Sequence, residues 1–256
     1  MAVIRKYNPG EFCWCDLGTK DVAGAKKFYR GIFGWTAKDI PMGNGEKYSL
    51  MRVKGKDVAG IFPMQEAQKK MKAPPFWLPY IWVKSVNATL KKVKAARGKV
   101  VMGPMDVMDK GRAAILQDPS GAGVAIWQAG THRGAALDDT PGTVTWHDLN
   151  TPKPAVAGRF YTSVFGWKME TQDFDGNKYF PFTLDGEGVC GMWPFSTKKL
   201  PPSWITHFKV ANCAKTVAKA KRLGGRVVMG PIAIGEMGHF AILKDPKGAA
   251  FGIIGA

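Results

Sequence analysis

The chain has 256 residues, of which 45% are hydrophobic, and a formal net charge of +17. This length suits two domains of about 125 residues each, and the apolar content is enough to build their cores. The start of the chain is not a charged-then-apolar leader and no long apolar run follows it, so we expect a cytoplasmic protein without a membrane partner.

The excess of positive charge has three interpretations. It indicates a lysine-rich solvated surface, because many lysines fall on outward positions of predicted helices. It is also typical of nucleic-acid binding, but the sequence has no nucleic-acid motif with interleaved aromatic residues, so we expect no such partner. The third interpretation is attraction of anionic small molecules, and by the same argument a cationic ligand would be repelled.

Near its start the chain carries a stretch that returns in its second half. Residues 12–35 read FCWCDLGTKDVAGAKKFYRGIFGW, and residues 144–167 read VTWHDLNTPKPAVAGRFYTSVFGW. Eleven of the 24 positions are identical, so the chain contains a duplication. Each copy predicts a strand, a helix capped by Thr19 or Thr151, and an aromatic turn after the helix-ending Gly34 or Gly166.

The remaining elements also recur. Strands are predicted around 47–53 and 57–64, with a turn at Gly43-Asn44-Gly45. A second module begins with a strand at 76–84, a helix capped by Ser85 and further strands at 112–117 and 124–128. The copy of this second module in the other half of the chain begins after Pro201-Pro202, with Asn212 as the helix cap. The order is therefore strand, helix and three strands, four times.

A strand followed by D/T-x-x-x-A-x-x-F-Y and an F-G-W turn resembles the opening module of the vicinal-oxygen-chelate superfamily. This is the group of glyoxalases, bleomycin-resistance proteins and extradiol dioxygenases. The W-x-[DE]-L-x-T opening is similar to that of its two-domain, glyoxalase-like hydroxylase and secreted-antigen proteins. The resemblance covers nearly the whole chain and is more specific for fold than for reaction.

The resemblance implies an α+β fold in which four βαβββ modules pair, one with two and three with four, into two half-open mixed-sheet barrels. We expect a first domain at residues 1–130, a linker at 131–142 and a second domain at 143–256. Each barrel would enclose a ligand site, which we call its cup, on the sheet face opposite the helices.

The metal enzymes that the chain resembles hold a divalent ion with His, Gln and Glu side chains. In this sequence the matching positions are Trp14 and Trp146, Leu78 and Ile205, and Ala125 and Gly252. None of these residues is a usual metal ligand. We therefore expect no metal-binding residues of the usual kind and no cofactor, and a divalent metal would need a non-standard set of ligands.

Strand alternation predicts which side chains line the cups. The expected ligand-binding residues are Trp14, Asp16, Tyr80, Trp82 and Arg112 in the first cup and Trp146, Lys209 and His239 in the second, with Asp148 and His207 as catalytic residues. A carboxylate inside a cup is costly unless it is paired, so each aspartate either pairs with Arg112 or Lys209 or acts on a ligand. His132 is expected in solvent and His147 on the helix side.

These residues predict a protein, monomeric or homodimeric, that binds a small aromatic or oxygenated and anionic organic molecule without the usual metal. The second domain is expected to be the active one. Turnover is left open, with a glyoxalase-like lyase or an oxidoreductase as the enzyme classes. One alternative is a metal-dependent lyase or dioxygenase that uses His207, His239 and Asp148. Another is a non-catalytic interaction protein that acts through its basic surface.

Overall fold

A computed structural model describes residues 2–4, 6–43, 45–174, 176–195 and 201–256. The predicted turn at Gly43-Asn44-Gly45 includes Asn44, which lies outside these ranges. The strands of the first half are β1 (Ala2–Val3), β2 (Phe12–Thr19), β3 (Thr36–Pro41), β4 (Lys47–Val53), β5 (Lys56–Pro63), β6 (Phe76–Trp82), β7 (Lys99–Val107), β8 (Gly111–Gln117) and β9 (Gly123–Ala129). Those that follow are β10 (Leu137–Asp138), β11 (Val144–Thr151), β12 (Lys168–Met169), β13 (Gln172–Phe174), β14 (Asn177–Tyr179), β15 (Phe182–Leu184), β16 (Glu187–Pro194), β17 (Ser203–Lys209), β18 (Arg226–Ala233), β19 (His239–Lys244) and β20 (Ala250–Gly255).

The helices are α1 (Val22–Phe33), α2 (Glu66–Lys70), α3 (Val86–Ala95), α4 (Pro154–Phe165) and α5 (Cys213–Arg222), with a 3₁₀ turn at Gly235–Met237. Within the described ranges, none of these helices is long and apolar enough to cross a membrane.

Two eight-stranded mixed sheets form the frame of the molecule. The first has the order β3-β4-β5-β2-β6-β9-β8-β7, and the second has the order β12-β15-β16-β11-β17-β20-β19-β18. The opening strands of two modules pair antiparallel at the centre of each sheet, β2 with β6 and β11 with β17. The predicted α+β class and the pairing of modules one with two and three with four are therefore confirmed. The division into two domains at residues 131–142 stays a prediction.

The helix starts differ in part from those predicted. Helix α1 is capped by Asp21, whose side chain accepts a hydrogen bond from the Gly24 N–H, and not by Thr19. Helix α4 begins at Pro154 without a side-chain cap, because Thr151 bonds the Lys153 N–H before the helix. Ser85 and Asn212 do cap their helices, and Gly34 and Gly166 end theirs in the left-handed conformation, which glycine adopts without strain.

The two halves share their hydrophobic cores. The helix-facing sides of the sheets approach at β6 and β17, and the helices pack as α1 with α5 and α3 with α4. One buried cluster joins the first module to the fourth, and a second cluster joins the second module to the third. The sheets are thus built within each half, whereas the cores are built between the halves.

The buried helix tyrosines tie these cores together in the same way in both copies. The Tyr29 hydroxyl donates to the carboxylate of Asp245 at 3.3 Å, and the Tyr161 hydroxyl donates to that of Asp118 at 3.0 Å. Each aspartate belongs to a tight turn of the other half and also accepts backbone N–H groups of that turn. The repeated D-P-x-G turn is therefore a contact between halves as well as a local turn.

Candidate functional site

The first cup contains a buried carboxylate, Asp16, surrounded by hydroxyl and indole donors. Its Oδ1 accepts hydrogen bonds from Trp14 Nε1 at 2.7 Å and from the Tyr48 hydroxyl at 2.5 Å. Its Oδ2 accepts a hydrogen bond from the Tyr80 hydroxyl at 2.9 Å. Burial raises the pKa of Asp16, while the bonds from Tyr48, Tyr80 and Trp14 act in the opposite direction. Hydrogen bonds rather than a salt bridge satisfy this carboxylate.

The second cup repeats this arrangement with one decisive difference. Asp148 Oδ1 accepts a hydrogen bond from the Tyr179 hydroxyl at 2.9 Å, and that hydroxyl in turn accepts one from Trp146 Nε1 at 2.9 Å. His207, at the position of Tyr80, places its Nε2 2.9 Å from Asp148 Oδ2. The second cup therefore pairs its buried carboxylate with an imidazole instead of a second phenol.

His207 is buried but incompletely satisfied. Its Nε2 lies at ion-pair distance from Asp148, yet the ring is not oriented for an aligned hydrogen bond, and Nδ1 has no partner among the described residues. Buried polar atoms almost always have a hydrogen-bond partner, so an unpaired imidazole needs an explanation. Catalytic contacts are often loosely aligned before a ligand is bound.

Two glycines make room for these side chains. A Cβ atom added to Gly191 would lie 1.7 Å from the Tyr179 hydroxyl oxygen, and one added to Gly252 would lie 2.1 Å from His207 Nδ1. Such distances are far inside van der Waals contact, so a larger residue at either position would displace the tyrosine or the imidazole. Glycine at position 252, which matches a ligand position of the resembled metal enzymes, thus leaves room for the His207 ring.

The first cup is filled and the second is more open. Trp14 and Trp127 belong to a third buried cluster, inside the first cup, which Tyr7 of the N-terminal arm completes. His132 packs edge-on against both indoles, with ring centroids 4.6 Å from Trp14 and 5.9 Å from Trp127, so the expectation of a solvated His132 is wrong. The counterparts in the second cup, Trp146 and Ile254, are only half-buried.

Two residues expected in the cups lie on the other face of their strands. Arg112 alternates with Ala113, which is in the cup cluster, and shares the face of Ala114, which is in a helix-side core. Its Nη1 donates to both carboxylate oxygens of Asp106, at 2.7 and 2.8 Å. By the same alternation the exposed His239 shares its face with the core residue Ala241. The predicted cup positions of Arg112 and His239 are therefore wrong.

Lys209 shares the cup face of β17 with His207 but does not reach Asp148. Its ammonium contacts the carboxylate of Asp139 in the segment between the sheets. Because Asp16 bonds Tyr48 and Tyr80, and Asp148 contacts Tyr179 and His207, the expected pairing of the cup aspartates with Arg112 or Lys209 is also wrong. Trp82 does lie on the cup side and packs against the first-cup cluster.

Tyr48 and Tyr179 were not among the predicted cup residues, although the sequence contains a repeat that marks them. Both follow a Gly-x-Lys tripeptide, at Gly45 and Gly176, with a spacing of 131 residues between the two tyrosines. This spacing is close to that of the opening repeat, so the pair belongs to the duplication. Tyrosines that recur on strands next to a cup aspartate are natural donors to it.

The cup residues do not fit the divalent metal of the resembled enzymes. The matching positions carry indole, alkyl or hydrogen side chains, at Trp146, Ile205 and Gly252 in the second cup. Within the ranges that the structure describes, no three His, Cys, Asp or Glu side chains converge on one point. Asp148 and His207 offer two donors, whereas protein metal sites use three or more side chains. Whether the protein carries a cofactor stays a prediction.

The family model of the Glyoxalase/Bleomycin resistance protein/Dioxygenase superfamily matches residues 12–126 and again residues 133–253. The chain belongs to this superfamily. Its two matches correspond to the two sheets, so the superfamily domain is present in tandem, and proteins of this group act on or bind small molecules.

Relatives that align over almost the whole chain carry two different names. A protein of Mycobacterium tuberculosis named putative glyoxylase CFP32 is 37% identical, over 99% of this chain and 98% of its own length. The anthracycline biosynthesis protein DauV of a Streptomyces species is 33% identical, over 98% of this chain and 95% of its own length.

Solved structures share the fold at much lower identity. The Mn(II)-bound glyoxalase of Novosphingobium aromaticivorans has a TM-score of 0.67 and 17% identity, covering 96% of this chain and 82% of that one. The 2,2',3-trihydroxybiphenyl 1,2-dioxygenase of Sphingomonas wittichii has a TM-score of 0.68 and 12% identity, covering 97% and 91%. At this identity the likeness shows the fold alone.

Proposed function

We propose that the second cup binds a small aromatic, oxygenated organic molecule without the usual divalent metal, and that Asp148 and His207 form its acid–base pair. The observation that carries the proposal is the buried His207, which faces a carboxylate at one nitrogen and has no partner at the other. A pocket with aromatic walls and a few convergent polar groups is typical of small-molecule sites.

The chemistry of the pair follows from which nitrogen faces the carboxylate. If Nε2 carries the proton toward Asp148, Nδ1 is the acceptor. Because Nδ1 is buried against Gly252, the ring has to turn toward the cup before this atom takes a proton from a ligand hydroxyl or enol. Asp148 then stabilises the imidazolium that forms, as a carboxylate does beside a catalytic histidine. The ligand becomes an anion next to the imidazolium cation. Tyr179 holds Asp148 in place through its hydroxyl.

The relatives support this class of ligand. The name of DauV places that protein in the biosynthesis of anthracyclines. Anthracyclines are oxygenated aromatic compounds, which suit a cup that contains Trp146, Tyr179 and Trp193.

Substitutions in the second cup should weaken binding of a hydroxylated aromatic probe. With 2-naphthol as the probe in calorimetric titrations, Asp148→Asn and His207→Ala should each weaken binding about 10-fold or more, because each removes a charge-assisted contact. The matched variant of the first cup, Asp16→Asn, should leave the affinity unchanged. Circular dichroism and thermal melting would verify that each variant is folded.

Two results would contradict the proposal. Full affinity in both second-cup variants would remove Asp148 and His207 from the site. A stoichiometric Mn, Fe, Ni or Zn content in the purified protein, lost in either variant, would favour the metal-dependent lyase or dioxygenase instead.

A further inference from the structure

The two cups differ at one end, which lies away from Tyr80 in the first cup and away from His207 in the second. In the first cup, Gly18 lies beneath the rings of Phe62 and Phe76, whose centroids are 6.3 Å apart. A Cβ atom on Gly18 would lie 3.0 Å from each of these rings, so the aromatic residues close directly over the strand. At this end of the first cup, aromatic rings therefore cover the strand.

The second cup has polar residues at the same place. Asn150 takes the position of Gly18, Ser203 that of Phe76 and Trp193 that of Phe62. Asn150 is paired with Ser203 on one side and with Trp193 on the other. Strand alternation puts Asn150 on the face of Asp148 and Ser203 on the face of His207. We call these three residues the Asn150 end of the second cup.

The polar groups at the Asn150 end have no partner within residues 2–4, 6–43, 45–174, 176–195 and 201–256. Asn150 and Ser203 are half-buried, and neither side chain makes a hydrogen bond to another residue in the described part of the chain. An amide and a hydroxyl supply both donors and acceptors, so they can bind a carbonyl as well as a hydroxyl group. The first copy shows that aromatic side chains can close this end, so its polarity is a specific property of the second cup.

The spacing of the two ends limits the size of a ligand that touches both. Asn150 follows Asp148 by two residues on a regular stretch of strand, which separates their Cα atoms by about 7 Å along the cup. One six-membered ring with its oxygen substituents is shorter than this, whereas two fused rings span it. Indole side chains lie at both ends, because Trp146 is opposite His207 and Trp193 is beside Asn150. Such side chains stack against flat ring systems.

We infer that the second cup selects a flat, fused-ring aromatic compound with an oxygen substituent at each end. One hydroxyl lies at His207 and Asp148, and a second hydroxyl or carbonyl is bound by Asn150 and Ser203. The inference rests on the proposed function, since it assigns a substrate class and two specificity-determining residues to the same cup.

The test compares two probes that differ only in the second hydroxyl, 2-naphthol and 2,6-dihydroxynaphthalene, in calorimetric titrations of the full chain. The wild-type protein should bind 2,6-dihydroxynaphthalene about 10-fold more tightly, since one or two added hydrogen bonds correspond to a factor of this order. Asn150→Ala and Ser203→Ala should each reduce this preference. Asp148→Asn should weaken the binding of both compounds and preserve their ratio.

The possible failures are distinguishable. Equal affinity of the wild-type protein for the two probes, or a preference unchanged in both alanine variants, would overturn the inference and leave the proposed function standing. If the wild-type protein binds neither probe, both the proposed function and the inference are wrong. Thermal melting of each variant separates a loss of binding from a loss of fold.

Discussion

Replacing Trp167 with alanine is expected to lower the free energy of unfolding by about 3–5 kcal/mol, the usual cost of removing a buried tryptophan. The side chain is 2% exposed and stacks on Tyr161 with ring centroids 5.4 Å apart. Its Nε1 donates a hydrogen bond to the Gly10 carbonyl at 2.9 Å. Gly10 precedes β2, the central strand of the first half, so the substitution leaves a cavity and also breaks a contact between the halves.

Trp35 occupies the same place in the first copy, which provides a second measurement. It is 1% exposed and donates from Nε1 to the Gly142 carbonyl at 2.7 Å, just before the second sheet. Trp35→Ala should therefore cost about as much as Trp167→Ala in urea denaturation. Trp193→Ala is the control, because that indole is only half-buried and should cost less. A loss below about 1 kcal/mol at both anchor positions would contradict their structural role.

The fold was predictable because the aromatic residues that recur in residues 12–35 and 144–167 are the ones that pack in the core. Phe28, Tyr29 and Trp35, and their copies in the second half, are buried in the same way, and the glycines that end the helices take the expected left-handed conformation. The pairing of modules one with two and three with four then followed from the family resemblance. The crossed cores were not predictable, because the sequence pattern shows that a helix face is apolar but not which half covers it.

The cup was predictable only where strand alternation was clear. Trp14 and Asp16 were assigned to the correct face because their face of β2 differs clearly from the small apolar face of Cys15 and Leu17. On β8, Ala113 and Ala114 are both small and apolar, so the sequence did not show on which face of the sheet Arg112 lies. A strand with apolar residues on both faces does not reveal its orientation.

Contacts made by connecting segments were hidden for a different reason. Lys209 lies on the expected face of its strand, but its ammonium contacts Asp139, whose position depends on the path between the sheets. His132, from the same connection, packs on Trp14 and Trp127 instead of lying in solvent. Residues distant in sequence and outside the repeat leave no pattern from which such pairs can be inferred.

The second large effect concerns acid stability and arises at His147, on the helix-facing side of β11. The ring stacks on Phe12 with centroids 4.1 Å apart, and its Nδ1 lies 3.2 Å from Thr206 Oγ1. Burial lowers the pKa of His147 from 6.5 to about 3, and the charge of nearby His207 acts in the same direction. The native state therefore holds this imidazole neutral at mildly acidic pH.

The direction of the pH dependence follows from the two states of His147. In the unfolded chain the ring takes up a proton as the pH falls below 6.5, whereas in the folded chain it stays neutral until about pH 3. Its contribution to stability is thus complete above pH 6.5 and is lost progressively as the pH falls toward 3. The loss should reach about 3 kcal/mol at pH 4, since each pKa unit corresponds to about 1.4 kcal/mol.

Urea denaturation between pH 7 and pH 4 should show this loss of stability for the wild-type protein and a shallower pH dependence for His147→Gln, which does not titrate. His239→Gln removes an exposed histidine instead and should retain the wild-type dependence. Equal pH dependence in the wild-type protein and His147→Gln would mean that His147 is not the group responsible for acid sensitivity.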